Sequence, residues 1–154
     1  MLTTTTASAL TPSLCPAEEA YDFEHFRDRL AQPEVLAYAV AVRVFRAPLL
    51  AVPIGGPRRG GYMSFDWLSL ATATRSLLTD QPGFPNLRVR WSPYRDTCHT
   101  VEWGDPAPEW WEGHTIFGRF YGYSEAAIAA FVRQHPQTPS SATSEPFPHG
   151  LVAR

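Results

Sequence analysis

The chain has 154 residues, 44% of them hydrophobic, and a formal net charge of −2 at pH 7. This length and composition predict one globular domain with a hydrophobic core, and the near-neutral charge argues against a protein whose whole surface binds nucleic acid. Every basic side chain is arginine, which excludes a P-loop lysine or a Schiff-base lysine, and two cysteines are too few for a disulfide framework.

Both ends of the chain are rich in serine, threonine, alanine and proline. Residues 1–17 and 136–154 are therefore predicted to be disordered tails around a folded domain at 18–135. The N-terminus lacks the basic start and apolar core of a secretory signal, and no apolar run is long enough to span a bilayer. We expect a cytoplasmic protein without a membrane partner.

The first predicted element is an amphipathic helix over residues 18–31. Phe23, Phe26 and Leu30 share one face of it, with acidic residues in the first turn and arginines in the last. Pro33 then begins a short turn or helical segment.

Two runs rich in β-branched and apolar residues, 39–45 and 49–54, predict an antiparallel hairpin. We pair them so that Val42 faces Val52. Both faces of this hairpin are mostly apolar, so both strands are predicted to be covered.

A glycine-rich segment, IGGPRRGGYMS at 54–64, is predicted to connect the hairpin to a helix. It holds four of the ten glycines of the chain. Ser64 is a suitable N-cap, and the helix that it begins is predicted to end at about Thr79.

A second hairpin is predicted from the segments NLRVRWS and CHTVEWG within residues 86–104. In one register Val89 faces Val101 on the apolar side, while Arg88 meets Glu102 on the charged side. A slip of one residue would lose both matches, so the pattern specifies this register.

The last predicted elements are a strand at 114–123 and a helix that Ser124 caps. Ile128, Phe131 and Val132 form the apolar stripe of that helix. The resulting order, α-β-β-α-β-β-β-α, predicts a single α+β domain with a mostly antiparallel sheet and helices packed on one face.

Three segments together resemble a known family: AVRVFRAPLLAVPIGGPRRGGY, GFPNLRVRWSPYRDTCHTVEWG and GRFYGYSEAAIAAF. The family consists of small actinobacterial proteins of unknown function, and the resemblance covers about residues 21–134. It implies no activity, cofactor or catalytic residue.

The glycine-rich segment permits two interpretations. Backbone N–H groups at a helix start bind anions, and Arg58 or Arg59 could clamp one. A turn with exposed arginines explains the same residues, because the segment lacks the Lys-Ser/Thr of a P-loop and does not match G-x-G-x-x-G. Asp66, in the predicted first helical turn, would compete with a bound phosphate.

Residues 95–105 gather five side chains that metals and nucleophilic sites use: Asp96, Cys98, His99, Glu102 and Asp105. Strand geometry separates them, because His99 lies on one face and Cys98 and Glu102 lie on the other. Asp96 and Glu102 would be about 20 Å apart along the strand. We therefore predict no metal, cofactor or catalytic site here.

Trp110 and Trp111 lie side by side in a loop between acidic residues. Either at least one of them is exposed as a contact surface, or the loop folds back and both cover the edge of the sheet.

Two functions remain open. The preferred one is a non-enzymatic binding or regulatory module that contacts a protein or nucleic-acid partner through two loops, whose candidate residues are Arg58, Arg59, Gly60, Gly61, Trp110 and Trp111. The alternative is a small transferase-like enzyme that holds a phosphate-bearing cofactor such as coenzyme A. It depends on a similarity of residues 49–78 to the pyrophosphate loop of the acetyltransferase superfamily, from which the glycine spacing and the following hairpin both depart.

Overall fold

The computed structural model describes residues 11–92 and 98–136. Its strands are β1 (Ser13–Pro16), β2 (Val40–Arg43), β3 (Leu49–Ala51), β4 (Gly60–Phe65), β5 (Arg88–Arg90) and β6 (His99–Gly104). Its helices are α1 (Phe23–Arg29), α2 (Leu68–Thr79), α3 (His114–Phe120) and α4 (Glu125–Gln134), with 3-10 turns at Ala17–Glu19, Pro33–Tyr38 and Trp110–Glu112. The predicted α+β class is confirmed.

The strands divide between two antiparallel sheets rather than forming one. The first has the order β1-β2-β3 and the second the order β4-β6-β5. The first sheet lies between two clusters of buried side chains, which accounts for strands that are apolar on both faces.

One buried cluster fills the space between the first sheet and three of the helices. Ala41 and Leu50 supply the sheet side, and Phe26 of α1, Phe117 of α3 and Ile128 of α4 pack in the same cluster. The α1 helix is shorter than predicted, because the acidic residues before it belong to a separate 3-10 turn.

The second cluster lies between the two sheets and is closed by α2. Val42 and Ala51 come from the first sheet, Met63 and Trp103 from the second, and Leu70 from α2. The first sheet therefore contributes side chains to both buried clusters.

The register of the first predicted hairpin is wrong. Val42 lies opposite Leu49, not Val52, and Ala41 lies opposite Leu50. Since both faces carry apolar residues, either register buries hydrophobic side chains, and the pattern does not choose between them.

The register of the second predicted hairpin is confirmed. Arg88 pairs with Glu102 and Val89 with Val101. Its predicted loop, at 93–97, lies outside the described residues.

The predicted helix start at Ser64 is wrong, because Gly60–Phe65 is a strand. Ser64 lies opposite Thr100 of β6, and α2 begins only at Leu68. The glycine-rich segment therefore ends in a sheet, and its last two glycines lie within β4.

The strand predicted at 114–123 is also wrong, since it forms α3. Its buried residues, His114, Phe117, Gly118 and Tyr121, follow helical spacing. Aromatic residues with high strand propensity obscured this stripe. The cap of α4 is confirmed, because the Ser124 hydroxyl accepts a hydrogen bond from the Ala127 N–H.

The predicted N-terminal tail, 1–17, is too long. Ser13–Pro16 pairs with β2, and Leu14 and Cys15 pack against the two buried clusters. The prediction used the average composition of residues 1–17, which does not reveal a strand of four residues. The predicted C-terminal tail lies, from residue 137 onward, outside the described part of the chain. No helix within 11–92 or 98–136 is long and apolar enough to cross a membrane.

Candidate functional site

Arg58 is buried, contrary to the prediction that it lies exposed at a loop tip. Only 4% of its surface is exposed. Its Nη1 donates to the Tyr121 carbonyl at 2.9 Å and its Nε to the Val52 carbonyl at 3.4 Å. Paired backbone hydrogen bonds between Gly55 and Arg58 fold the loop inward, so this guanidinium is not available to a partner.

The surroundings of Arg58 are aromatic rather than acidic. Its guanidinium carbon lies 6.0 Å from the ring centre of Phe26 and 5.7 Å from that of Tyr121. Burial lowers the pKa of Arg58, and burial likewise raises the pKa values of the Tyr121 and Tyr123 phenols. Since Arg58 forms no ion pair with a described residue, we interpret it as an internal cation that joins the end of α3 to the chain after β3.

The glycines of the segment serve close packing. A Cβ atom on Gly61 would lie 2.6 Å from the Trp103 ring, and one on Gly60 would lie 2.7 Å from the Phe120 ring. Gly56, with φ of 52°, occupies the left-handed region that favours glycine. Gly60 and Gly61 are buried and cannot form a contact surface.

Arg59 lies at the surface but is paired within the chain. Its Nη2 lies 2.9 Å from the Asp105 carboxylate, and its backbone N–H donates to the Phe120 carbonyl. An exposed pair of this kind contributes at most about 1 kcal/mol.

Trp110 and Trp111 are both exposed, at 54% and 65%. They lie in the 3-10 turn, which with Glu109 we call the Trp turn (residues 109–112). The Glu109 backbone N–H donates to the Glu112 carboxylate at 2.6 Å, and the Glu109 side chain accepts from the Glu112 backbone in return. This reciprocal capping box fixes the turn with both indoles directed outward.

The remaining polar candidates are distributed among separate partners. His99 Nδ1 accepts from the Ser92 N–H at 3.1 Å, and Glu102 accepts from Arg88 and Arg90. Cys98 Sγ lies 3.6 Å from a carboxylate oxygen of Asp66. Asp96 lies outside the described residues, and among those described no group of three or more His, Cys, Asp or Glu could hold a metal ion.

A groove that the sequence analysis missed opens into the second buried cluster. It encloses about 640 Å³ between the β2–β3 connection and the β4–α2 connection. Phe45 and Trp67, both more than half exposed, line it, and Asp66 is the one carboxylate among its described lining residues. The sequence signal that could have indicated the groove was an aromatic residue in each of these two connections, Phe45 and Trp67.

Asp22 is a second feature that the sequence did not reveal. One carboxylate oxygen accepts from the Leu50 N–H at 2.8 Å, while the other is buried and has no hydrogen-bond partner among the described residues. Burial raises the pKa of Asp22 to about 6. Asp22 thereby supplies a hydrogen-bond acceptor for a backbone N–H at the outer edge of β3, but it buries a titratable group.

Comparison with known proteins identifies a family but no function. No curated protein matches the chain, and no solved structure matches it. One family model matches residues 14–150, which is most of the sequence and includes every described strand and helix except Ser13, the first residue of β1. The chain therefore belongs to the family of unknown function DUF6302.

Proposed function

We propose that the chain is a non-enzymatic binding module, and that the Trp turn contacts a partner protein. The observation that carries this proposal is that two adjacent tryptophans, each more than half exposed, lie on a turn whose backbone is fixed. Tryptophan is enriched among residues that dominate binding energy. A surface that is already ordered loses little conformational entropy when it binds.

The charges around the Trp turn favour a protein over a nucleic acid. Glu109 and Glu112 flank the indoles, and no basic residue lies between positions 105 and 113. Nucleic-acid binding depends mainly on cationic contacts to phosphate. Of the two arginines in the glycine-rich segment, Arg58 is buried and Arg59 is paired with Asp105.

The transferase-like alternative loses its main support. It requires a phosphate clamp at Arg58 or Arg59 and backbone N–H groups at a helix start, and Arg59 is paired with Asp105. Arg58 instead donates to carbonyl oxygens inside the protein, and Gly60 and Gly61 belong to β4.

The test is quantitative capture of a partner from the native cell by the wild-type chain and by Trp110→Ala/Trp111→Ala. Trp91→Ala is the matched control, because Trp91 is 63% exposed on the second hairpin. We expect the double variant to lose the partner and the control to retain it, with unchanged melting temperatures. Retention of the partner by a folded double variant would contradict the proposal.

The groove supports a second candidate function, the binding of a small apolar ligand with a cationic head. Its volume lies within the range typical of small-molecule sites, and its lining is mostly apolar. Asp66 favours an amine at the mouth. We expect octylamine to raise the melting temperature more than octanoate does, and Asp66→Asn to remove that difference. Equal effects of both compounds would contradict an amine-selective groove.

A further inference from the structure

The two indoles of the Trp turn form an open corner. Their ring centres lie 5.6 Å apart and their planes meet at 86°, so the edge of one ring meets the face of the other. A cation in contact with both faces would lie within about 6 Å of both ring centres, which is the range of cation–π attraction. The corner therefore matches the shape of a cationic group.

The corner lies between two acidic residues of the same turn. Glu109 and Glu112 belong to the same turn as the indoles, and neither forms an ion pair with a described residue. Their carboxylates lie within about 10 Å of the rings, given the rise of about 2 Å per residue in a 3-10 turn. They add to the attraction that the ring faces exert on a cation.

Among the described residues, no arginine lies over either indole of the Trp turn. The guanidinium that lies over aromatic rings in the described residues is that of Arg58, on Phe26 and Tyr121. Both indoles are more than half exposed, on a turn that the capping box already holds.

We infer that the Trp turn binds an arginine side chain of the partner protein, seated in the corner between the two indoles. This inference rests on the proposed function and names the chemistry of its partner. Arginine fits better than lysine, because its planar guanidinium stacks on an indole face while its edge remains free to reach a carboxylate.

The test uses acetyl-Gly-Arg-Arg-Gly-amide and the same peptide with citrulline, which keeps the shape of arginine without its charge. Binding is followed by the indole N–H signals of the ¹⁵N-labelled chain, assigned with single Trp→Phe variants. We expect the arginine peptide to bind at least about threefold more tightly and to shift the signals of Trp110 and Trp111. The signals of Trp67 and Trp91, which are also exposed, should not move.

Glu109→Gln/Glu112→Gln removes the two negative charges and should keep the turn folded, because glutamine also completes a capping box. We expect this variant to keep the indole signals in place and to lower the preference for arginine. Trp111→Leu should bring the two peptides to equal affinity. Equal affinity of the wild type for both peptides would overturn the inference.

The peptide experiment and the capture experiment separate the two proposals. Loss of the partner from Trp110→Ala/Trp111→Ala without any preference for arginine would overturn the cation site and leave the binding function standing. A preference for arginine with unchanged partner capture would overturn the proposed function.

Discussion

Arg58 is held inside the protein by carbonyl oxygens rather than by a carboxylate. Removing it leaves the Tyr121 carbonyl without its donor and opens a cavity among aromatic rings, whereas the Val52 carbonyl keeps the Trp103 indole N–H. We expect Arg58→Ala to lower the free energy of unfolding by about 3 kcal/mol. Arg59→Ala, one position away and exposed, should lower it by no more than about 1 kcal/mol.

Urea unfolding of these two variants measures the difference. The two arginines look equivalent in the sequence, so the contrast depends only on where the fold places them. Similar unfolding free energies for both variants would show that Arg58 is not buried as described.

Asp22 predicts a pH dependence of stability with a definite sign. The pKa is raised from 3.8 in the unfolded chain to about 6 in the folded one, so the folded state holds the proton more firmly. This contribution to stability is complete below about pH 4 and is lost as pH rises through about 6. At about 1.4 kcal/mol for each pH unit between the two values, the loss amounts to about 3 kcal/mol.

Asp22→Asn keeps an acceptor for the Leu50 N–H and cannot ionise. We expect its free energy of unfolding, relative to the wild type, to rise between pH 4 and pH 7. A constant difference across that range would contradict a raised pKa for Asp22.

At the scale of elements, β4 depends on a residue without a side chain. Gly61 faces Trp103 across the β4–β6 pair, and a Cβ atom there would overlap the buried ring. We expect Gly61→Ala to cost about 2 kcal/mol or more, the range of an overpacked core. Ser64→Ala, on the opposite face of the same strand, should change stability by about 0.5 kcal/mol or less, measured by thermal unfolding. Equal losses would mean that β4 tolerates a side chain at Gly61.

The elements that sequence reasoning placed correctly are those with two independent signals. The second hairpin has an apolar face and a charged face that agree on one register, and α4 has both an apolar stripe and a serine cap. The first hairpin has two apolar faces, so nothing in its pattern opposes a shifted register. The segment at 60–65 has glycines that read as a turn, although they permit a strand to pass under two aromatic rings.

The candidate site could be predicted only in part. Adjacent tryptophans between acidic residues left two interpretations open, an exposed contact surface or a loop that covers the edge of the sheet, and in the structure both are exposed. The burial of Arg58 could not be predicted, since its partners are backbone carbonyls, which carry no signature in the side-chain sequence, and one of them belongs to the distant Tyr121. The groove could not be predicted either, because its walls come from two connections that only the tertiary fold brings together.

At the scale of the whole molecule, β1 closes one side of the sheet that both buried clusters share. Its four residues pair with β2, and its side chains reach both clusters. A chain that begins at Ala17 lacks this strand and exposes the edge of β2. We expect such a chain to lose about 3 kcal/mol of unfolding free energy, from lost backbone pairs and apolar burial, and to aggregate through the open edge.

A chain that begins at Thr11 keeps β1 and is the control. Urea unfolding should give it a higher midpoint than the chain that begins at Ala17, and light scattering should show that it remains monodisperse at concentrations where the shorter chain aggregates. Leu14→Asp in the full chain tests the same strand without truncation, because it places a charge beside the second buried cluster. If both shortened chains unfold at the same urea concentration and Leu14→Asp has no effect, β1 does not contribute to the fold, and the domain begins where composition alone placed it.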